Sequence, residues 1–315
     1  MKRSADIENW PFKRRNVNIQ PSSVVSQRRV SAVVLNYLNY DQTILCVRDL
    51  LAQDHPLLDV VVVDNHSPNE SLARLQEAFA RESRMAVLQT HDNLGYAGGN
   101  NYGARWRLEH GAVDFLLIIN NDVRLPDRET VRRLVEFADD RGDLGGVGPA
   151  VVTCSGFPQG PYRRPRATLS TLRYLLPIFP LAFRFWHRVN KEKKPGPCYA
   201  IVGAFMLLKA EPFARVGFLD ERTFLGAEEY ILAERFRKIG LRFHHYPLVT
   251  VIHNHQEGAI VRSGGEGRHF PSGLASMLHY FREYQGASWL SLRLYEASAR
   301  LYCRVFLPIR RRFTI

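Results

Sequence analysis

The chain of 315 residues is long enough to bury one large core with room for extensions. Hydrophobic residues at 45% and charged residues at 23% are those of a globular protein, and a formal net charge of +12 favours anionic partners: nucleotides, nucleic acid or an anionic membrane surface. The four scattered cysteines, Cys46, Cys154, Cys198 and Cys303, form no Cys-x-x-Cys pair, which excludes a zinc knuckle and suits a reducing, cytoplasmic location.

Residues 1–29 are polar and rich in Lys and Arg, and read as a disordered basic leader without the apolar core of a secretory signal. Val30-Ser31-Ala32-Val33-Val34-Leu35 reads as a strand, and Asp41 as the cap of a helix carrying Ile44, Leu45 and Leu51. Val60 to Val63 is a second strand, and Leu72, Leu75 and Phe79 mark a second helix. Met85 to Leu88 is a short third strand, followed by a helix that opens in the glycine-rich stretch at 95–99. Phe115-Leu116-Leu117-Ile118-Ile119 is a fully apolar run, so a strand buried on both faces, and Asp127 can cap a helix carrying Val131, Leu134 and Val135. After Gly145 the pattern loosens, and 155–200 reads as a long loop rich in Pro, Arg and aromatics. An apolar stretch from Tyr174 to Phe183 is too short to span a membrane and is broken by Pro177 and Pro180. Ala200 to Leu208 reads as a buried strand, Glu228 to Lys238 as a helix stopped by Gly240, and Arg242 to Ile252 as β-like. The last 60 or so residues read as helical and basic.

Four alternations of strand and helix with short connections predict a parallel sheet wrapped by helices. Right-handed crossovers then bring the carboxyl ends of the strands to one edge. Those ends are polar: Asn36 to Asn39, Asp64 to Ser67, Asp92-Asn93 and Asn120-Asn121-Asp122. A polar edge of that kind is where α/β proteins bind ligands.

Each feature on this edge has two readings. Asp122 beside two asparagines suits a hard cation such as Mg2+ or Mn2+, with substrate phosphates completing the shell; it also suits an Asx turn. Asp64 can accept an imide N–H of a pyrimidine, or cap the helix that starts near Asn69. The run Asn93 to Asn101 can present N–H groups to an anion at a helix start, or form a plain tight turn. Glu228-Glu229 opens a helix, either as surface charge favoured by the helix dipole or as a general base facing the sheet edge. His253 and His255 have metal-ligand spacing, and local structure would place them equally well. In the C-terminal region Arg293, Arg300 and Arg304 fall on one helical stripe beside Leu290, Leu294, Leu301 and Val305, with Arg310-Arg311-Arg312 beyond; such a helix lies on an anionic membrane or packs with its arginines solvated.

Taken together, these residues resemble the family 2 glycosyltransferases of bacterial polysaccharide assembly, a group that includes many rhamnosyltransferases. The resemblance covers roughly 30–255 and rests on Val61-Val62-Val63-Asp64-Asn65-His66-Ser67, on Asn93-Leu94-Gly95-Tyr96-Ala97-Gly98-Gly99-Asn100-Asn101, on Asn120-Asn121-Asp122 and on Gly203-Ala204-Phe205-Met206 with the segment from Gly217 to Gly240. It implies an α/β GT-A fold: a Rossmann-like, mostly parallel sheet flanked by helices, here with a C-terminal helical extension at 256–315. The 30–255 domain would divide into a nucleotide-sugar half at 30–150 and an acceptor half at 151–255. It also implies inverting transfer of a single sugar from a UDP- or dTDP-sugar to a saccharide or lipid-linked acceptor, the Gln-x-x-Arg-Trp motif of processive synthases being absent. Carried over by position, Asp64 holds the pyrimidine, Asp122 the metal, and Glu229 (or its neighbour Glu228) is the base; the spacing reading adds His253 as a candidate metal ligand. Asn36, Asn39, Asn93, Gly95, Gly98, Asn100 and Asn121 complete the donor-facing set. Two positions depart from the family pattern: the second acid of the pair is Glu where Asp is usual, and Asn120 stands where many members have a first Asp.

Two other functions compete. A nucleotidyltransferase would need a basic, glycine-rich phosphate loop after the first strand, which is absent. A nucleic-acid-binding protein would account for the charge, but no nucleic-acid module is present. The expectation is an enzyme without a nucleic-acid partner, cytoplasmic and peripheral on the inner face of the membrane.

Overall fold

The computed structural model describes residues 28–175, 194–254 and 265–306. The leader up to residue 27, the apolar stretch beyond residue 175, His255 and Arg310-Arg311-Arg312 lie outside them.

The strands β1 (Val30–Asn36), β2 (Leu58–Asp64), β3 (Met85–Gln89) and β4 (Phe115–Asn120) alternate with the helices α1 (Tyr40–Leu51), α2 (Ser71–Ala78) and α3 (Gly95–Glu109). They pair in parallel in the order β3-β2-β1-β4, so all four carboxyl ends meet on one edge. Side-chain alternation along these apolar strands sorts residues into two cores. Val30, Ala32, Val34, Val60, Val62, Leu117 and Ile119 face α1 and α4 (Thr130–Asp139). Val33, Val61, Val63, Leu116 and Ile118 face α3 and α7 (Glu228–Lys238).

Beyond β4 the sheet continues through β9 (Phe205–Lys209), β6 (Leu144–Thr153), β10 (Arg242–His253) and β5 (Val123–Arg124). Two short strands, β7 (Pro158–Gln159) and β8 (Gly196–Cys198), hang on β6 and β10. Strand β9 runs antiparallel between β4 and β6. One sheet therefore passes through both expected halves, and the boundary at 150 falls inside β6.

The region where the hydrophobic pattern loosens is thus a ten-residue strand. Its glycines are packing positions. A Cβ on Gly145 would lie 2.8 Å from the Phe236 ring, one on Gly146 2.6 Å from Leu208, and one on Gly148 2.9 Å from Ile201. Two expected caps also differ. Helix α1 starts one residue before Asp41, after Asn39, whose side chain makes no capping bond. Asp127 stands three residues ahead of Thr130 and accepts the N–H of Glu129 instead of capping the helix.

The helices α5 (Ala167–Leu175), α6 (Ala210–Arg215), α8 (Gly265–His279) and α9 (Trp289–Leu301) complete the described chain, with single π-helical turns at Tyr280–Tyr284 and Tyr302–Phe306. Leu274, Tyr280, Phe281, Leu292 and Tyr295 form a third cluster that closes over Ala167, Ala227 and Ile231. No helix among the described residues is long and apolar enough to cross a membrane.

Candidate active site

At the polar edge Asp64 is fully buried. It does not cap a helix: one carboxylate oxygen accepts the Asn36 amide at 2.7 Å, the other the Ser67 N–H at 2.9 Å and the Gln89 amide at 3.4 Å. A further donor reaches this carboxylate only by displacing a protein one, the long Gln89 contact being the weakest. Asn36 is itself buried, held through Thr43, and so orients Asp64 instead of facing the rim. Asn39 is exposed there, and Asn121 donates to its carbonyl at 3.2 Å and to Thr43 at 2.9 Å. Backbone strain collects at the same edge, with Leu38 at φ 67° after β1 and His66 at φ 58° after β2.

The glycine-rich run opens as a tight turn. Its leading N–H groups are already used: Leu94 donates to the Asn65 side chain, Gly95 to the Asn93 side chain and Tyr96 to the Phe224 carbonyl. Gly95 turns the chain at φ +70°, where a Cβ would meet the Phe224 carbonyl at 2.5 Å. Gly98 sits within the helix, where a Cβ would press on Leu94 at 2.7 Å. Asn93 joins Asn65 at 2.9 Å, and Asn100 is buried with its amide on the Tyr96 carbonyl. Asn93, Gly95 and Gly98 thus shape the turn and seat the helix, while the buried Asn100 Oδ1 is left without a hydrogen-bond partner.

Asp122 lies two residues beyond the end of β4, and the pairing of Val123 with His253 carries it to the end of β10. His253 Nε2 lies 3.1 Å from Asp122 Oδ1, while its Nδ1 meets Gln159 Oε1 at 2.8 Å. With Nδ1 donating to Gln159, the Nε2 lone pair of the neutral ring faces a carboxylate oxygen. A cation between them, or a proton on the ring, makes that arrangement favourable. Two ligands at right angles on one ion, with bonds of about 2.1 Å, stand about 3 Å apart, so the pair fits Mg2+ or Mn2+. Among the described residues no group of three His, Cys, Asp or Glu forms a metal cluster.

On the other side of the rim, Ala204 accepts the Asn120 N–H, and the adjacent Gly203 faces Glu229. A Cβ on Gly203 would lie 3.6 Å from Glu229 Oε2 and 3.8 Å from the Tyr96 hydroxyl, which donates to the Gly203 carbonyl at 2.6 Å. The glutamate pair is not surface charge. Glu228 is 3% exposed, with Oε1 buried and without a hydrogen-bond partner, and Glu229 is half-buried. Burial raises the pKa of both, and the charge of Glu229 raises that of Glu228 further. Ala227, at φ 71°, aims the helix start into this position. Burial and the two carboxylates also hold the Tyr96 phenol protonated, as the donor its bond to Gly203 requires.

Residues 31–217 match the domain described as glycosyl transferase family 2. The chain belongs to that family. This glycosyltransferase is 24% identical over 225 residues to Agl10, a low-salt glycan biosynthesis hexosyltransferase of Haloferax volcanii, covering 71% of its own length and 67% of that protein. It is 26% identical over 203 residues to the O-antigen biosynthesis protein RfbC of Myxococcus xanthus, covering 62% of its own length and only 15% of that larger protein. A solved mannosyltransferase, PcManGT from Pyrobaculum calidifontis in complex with GDP-Man and Mn2+, superposes with a TM-score of 0.55 at 17% identity over 88% of this chain and 75% of that one. At that identity the likeness establishes the GT-A fold, with its mostly parallel sheet between helices.

Two contributors to the geometry were invisible in the sequence reading. Gln159 lies in the segment read as loop, and only the pairing of β7 with β6 brings it to His253. Tyr96 stood inside the glycine run, where an aromatic residue at a helix start carries no chemical signal of its own.

Proposed function

We propose that this glycosyltransferase is an inverting enzyme that adds one sugar from a UDP- or dTDP-sugar, dTDP-rhamnose among them, to a saccharide or polyprenyl-linked acceptor in cell-surface polysaccharide synthesis. The reading is carried by one observation: Asn120, two residues ahead of the Asp122 that lies 3.1 Å from His253, donates its N–H to Ala204, and the adjacent Gly203 faces Glu229 of the glutamate pair. Residues 30–150 provide the nucleotide side and 151–255 the acceptor side of a shared sheet, with 256–315 as an extension. Asp122 and His253 would hold Mg2+ or Mn2+, which supplies positive charge for the departing diphosphate. Asp64 receives the pyrimidine edge in place of Gln89. Glu229, the more open of the two glutamates, takes the proton of the acceptor hydroxyl as it attacks the anomeric carbon; its raised pKa makes it a stronger base than an ordinary carboxylate. Glu228 stays protonated and leaves Glu229 as the single charge at the site. We place the reaction on the cytoplasmic side, at the membrane surface where a polyprenyl-linked acceptor resides.

Calorimetry with UDP and dTDP, with and without Mn2+, tests the assignment. Mn2+ should tighten nucleotide binding, and Asp122→Asn and His253→Ala should each abolish that gain. Glu229→Gln should keep donor binding and lose transfer by about a hundredfold or more. Equal binding with and without Mn2+ removes the metal role, and full activity of Glu229→Gln moves the base elsewhere.

A further inference from the structure

Helix α9 is apolar on both sides. Leu292, Tyr295, Ser298 and Ala299 are buried against the third cluster. The opposite side carries Trp289, 70% exposed, Leu290, 59%, Leu294, 54%, and Leu301, 48%. These positions recur at the spacing of one helical face, interleaved with the exposed Arg293, Arg300 and Arg304. A helix facing only water has no use for four large apolar side chains on its outer stripe. Neighbouring α5 adds Leu169 and Leu172, 43% and 53% exposed.

We infer that the outward face of α9, with the exposed leucines of α5 beside it, docks on an anionic lipid bilayer. Charge chooses the occupant. One acid, Glu296, stands among the three arginines; it pairs with Arg293 at 3.6 Å and Arg300 at 2.8 Å, which leaves the face positive. A second copy of the same face would bring these arginines against their own kind. Large aliphatic side chains between the arginines suit acyl chains and not nucleic-acid bases. A row of leucines that enters the interface between guanidinium groups at headgroup level is the pattern of a helix lying in the membrane plane. The third cluster joins this face to the start of α7, where the glutamate pair sits: Leu274 and Tyr280 pack against Ala227 and Ile231. The inference deepens the proposed use of a lipid-linked acceptor and rests on that reading.

The test is co-sedimentation of the full chain with phosphatidylcholine vesicles and with vesicles containing about 30 mol% phosphatidylglycerol. Wild type should sediment with the anionic vesicles, and salt should release it. Leu290→Asp combined with Leu294→Asp should weaken partitioning at least about tenfold, and Arg293→Gln combined with Arg304→Gln by a similar factor. Brominated lipid should quench the tryptophan fluorescence of wild type more than that of Trp289→Phe. All variants should keep the melting temperature and Mn2+-dependent UDP or dTDP binding of wild type. Failure to sediment, equal partitioning of the aspartate variant, or a dimer in sedimentation equilibrium that the aspartates dissolve would each overturn the inference. Vesicle binding without nucleotide binding would instead overturn the donor reading and leave the docking face standing.

Discussion

Glu228 and Glu229 are consecutive in the chain, and the fold buries Glu228 and half-buries Glu229 at one helix start. A raised carboxylate pKa has two consequences with opposite signs. For activity, Glu229 must be ionised, so the acid limb of kcat/KM should lie above the ordinary glutamate midpoint of about 4.3, and rate should rise with pH through it. For stability, a group whose pKa is higher folded than unfolded favours the fold below its unfolded value, and that contribution is lost as pH climbs through the folded value. Glu228→Gln should therefore leave the acid limb in place, because Glu228 is neutral when Glu229 ionises. The same variant should melt higher than wild type by a margin that grows from pH 5 to pH 9. A margin that shrinks with pH would mean that Glu228 is charged and paired in the fold. The two carboxylates, Asp122 and His253 were legible in the sequence because each follows the end of a strand or opens a helix. Their environment was not: nothing local distinguishes a solvated Glu-Glu pair from a buried one. Asp64 illustrates the same gap, since its three protein donors come from Asn36, Ser67 and Gln89 in three separate segments.

At the level of elements, α3 shows what its glycines do for packing. The run read as either an anion-facing turn or a plain tight turn, and its glycines with Gly103 let the helix lie flat on β1 and β2. A Cβ on Gly99 would stand 2.4 Å from Leu35, and one on Gly103 2.7 Å from both Val33 and Val63. The two valines are buried and β-branched, so they cannot swing aside. Alanine at Gly103 gains about 1 kcal/mol of helix propensity. It loses about 1–3 kcal/mol to overpacking, so a net loss of roughly 1 kcal/mol and a lower melting temperature are expected. Gly142→Ala is the control, because no atom lies within 4 Å of its added Cβ, and its melting temperature should not fall. Equal melting temperatures for the two variants would show that close approach is not what the α3 glycines provide. The same physics hid β6. Gly145, Gly146 and Gly148 make room for Phe236, Leu208 and Ile201, and a strand that supplies sockets in place of side chains has no alternating hydrophobic signal.

For the whole molecule, local pattern identified most of the elements but not their neighbours. That β9 enters antiparallel between β4 and β6, or that the last helices fold back on α7, depends on contacts between residues as far apart as Phe115 and Lys209 and leaves no trace in any window. Asp220 adds a polar link to the second of these joins. Its carboxylate, 4% exposed, accepts Arg222 at 2.8 Å, His279 of α8 at 2.9 Å and the Tyr284 hydroxyl at 2.8 Å, with Arg235 of α7 at 3.3 Å. Burial alone would favour the neutral acid; the hydrogen bonds from Arg222, His279 and Tyr284 outweigh it and hold the pKa well below the ordinary range. The contribution is thus complete above about pH 4 and fades as pH falls through the folded value. Asp220→Asn removes the negative charge and leaves Arg235, half-buried, without its counter-ion. A loss of about 3 kcal/mol at pH 7 is expected, narrowing toward pH 3. Because the bonds lost are those between the C-terminal helices and the rest, the loss should be local. Amide exchange should accelerate in α8 and α9 while β1, β2 and β4 keep wild-type protection. Uniform acceleration across the sheet would show instead that the helices and the sheet unfold as one unit, with Asp220 serving the whole molecule and not a seam within it.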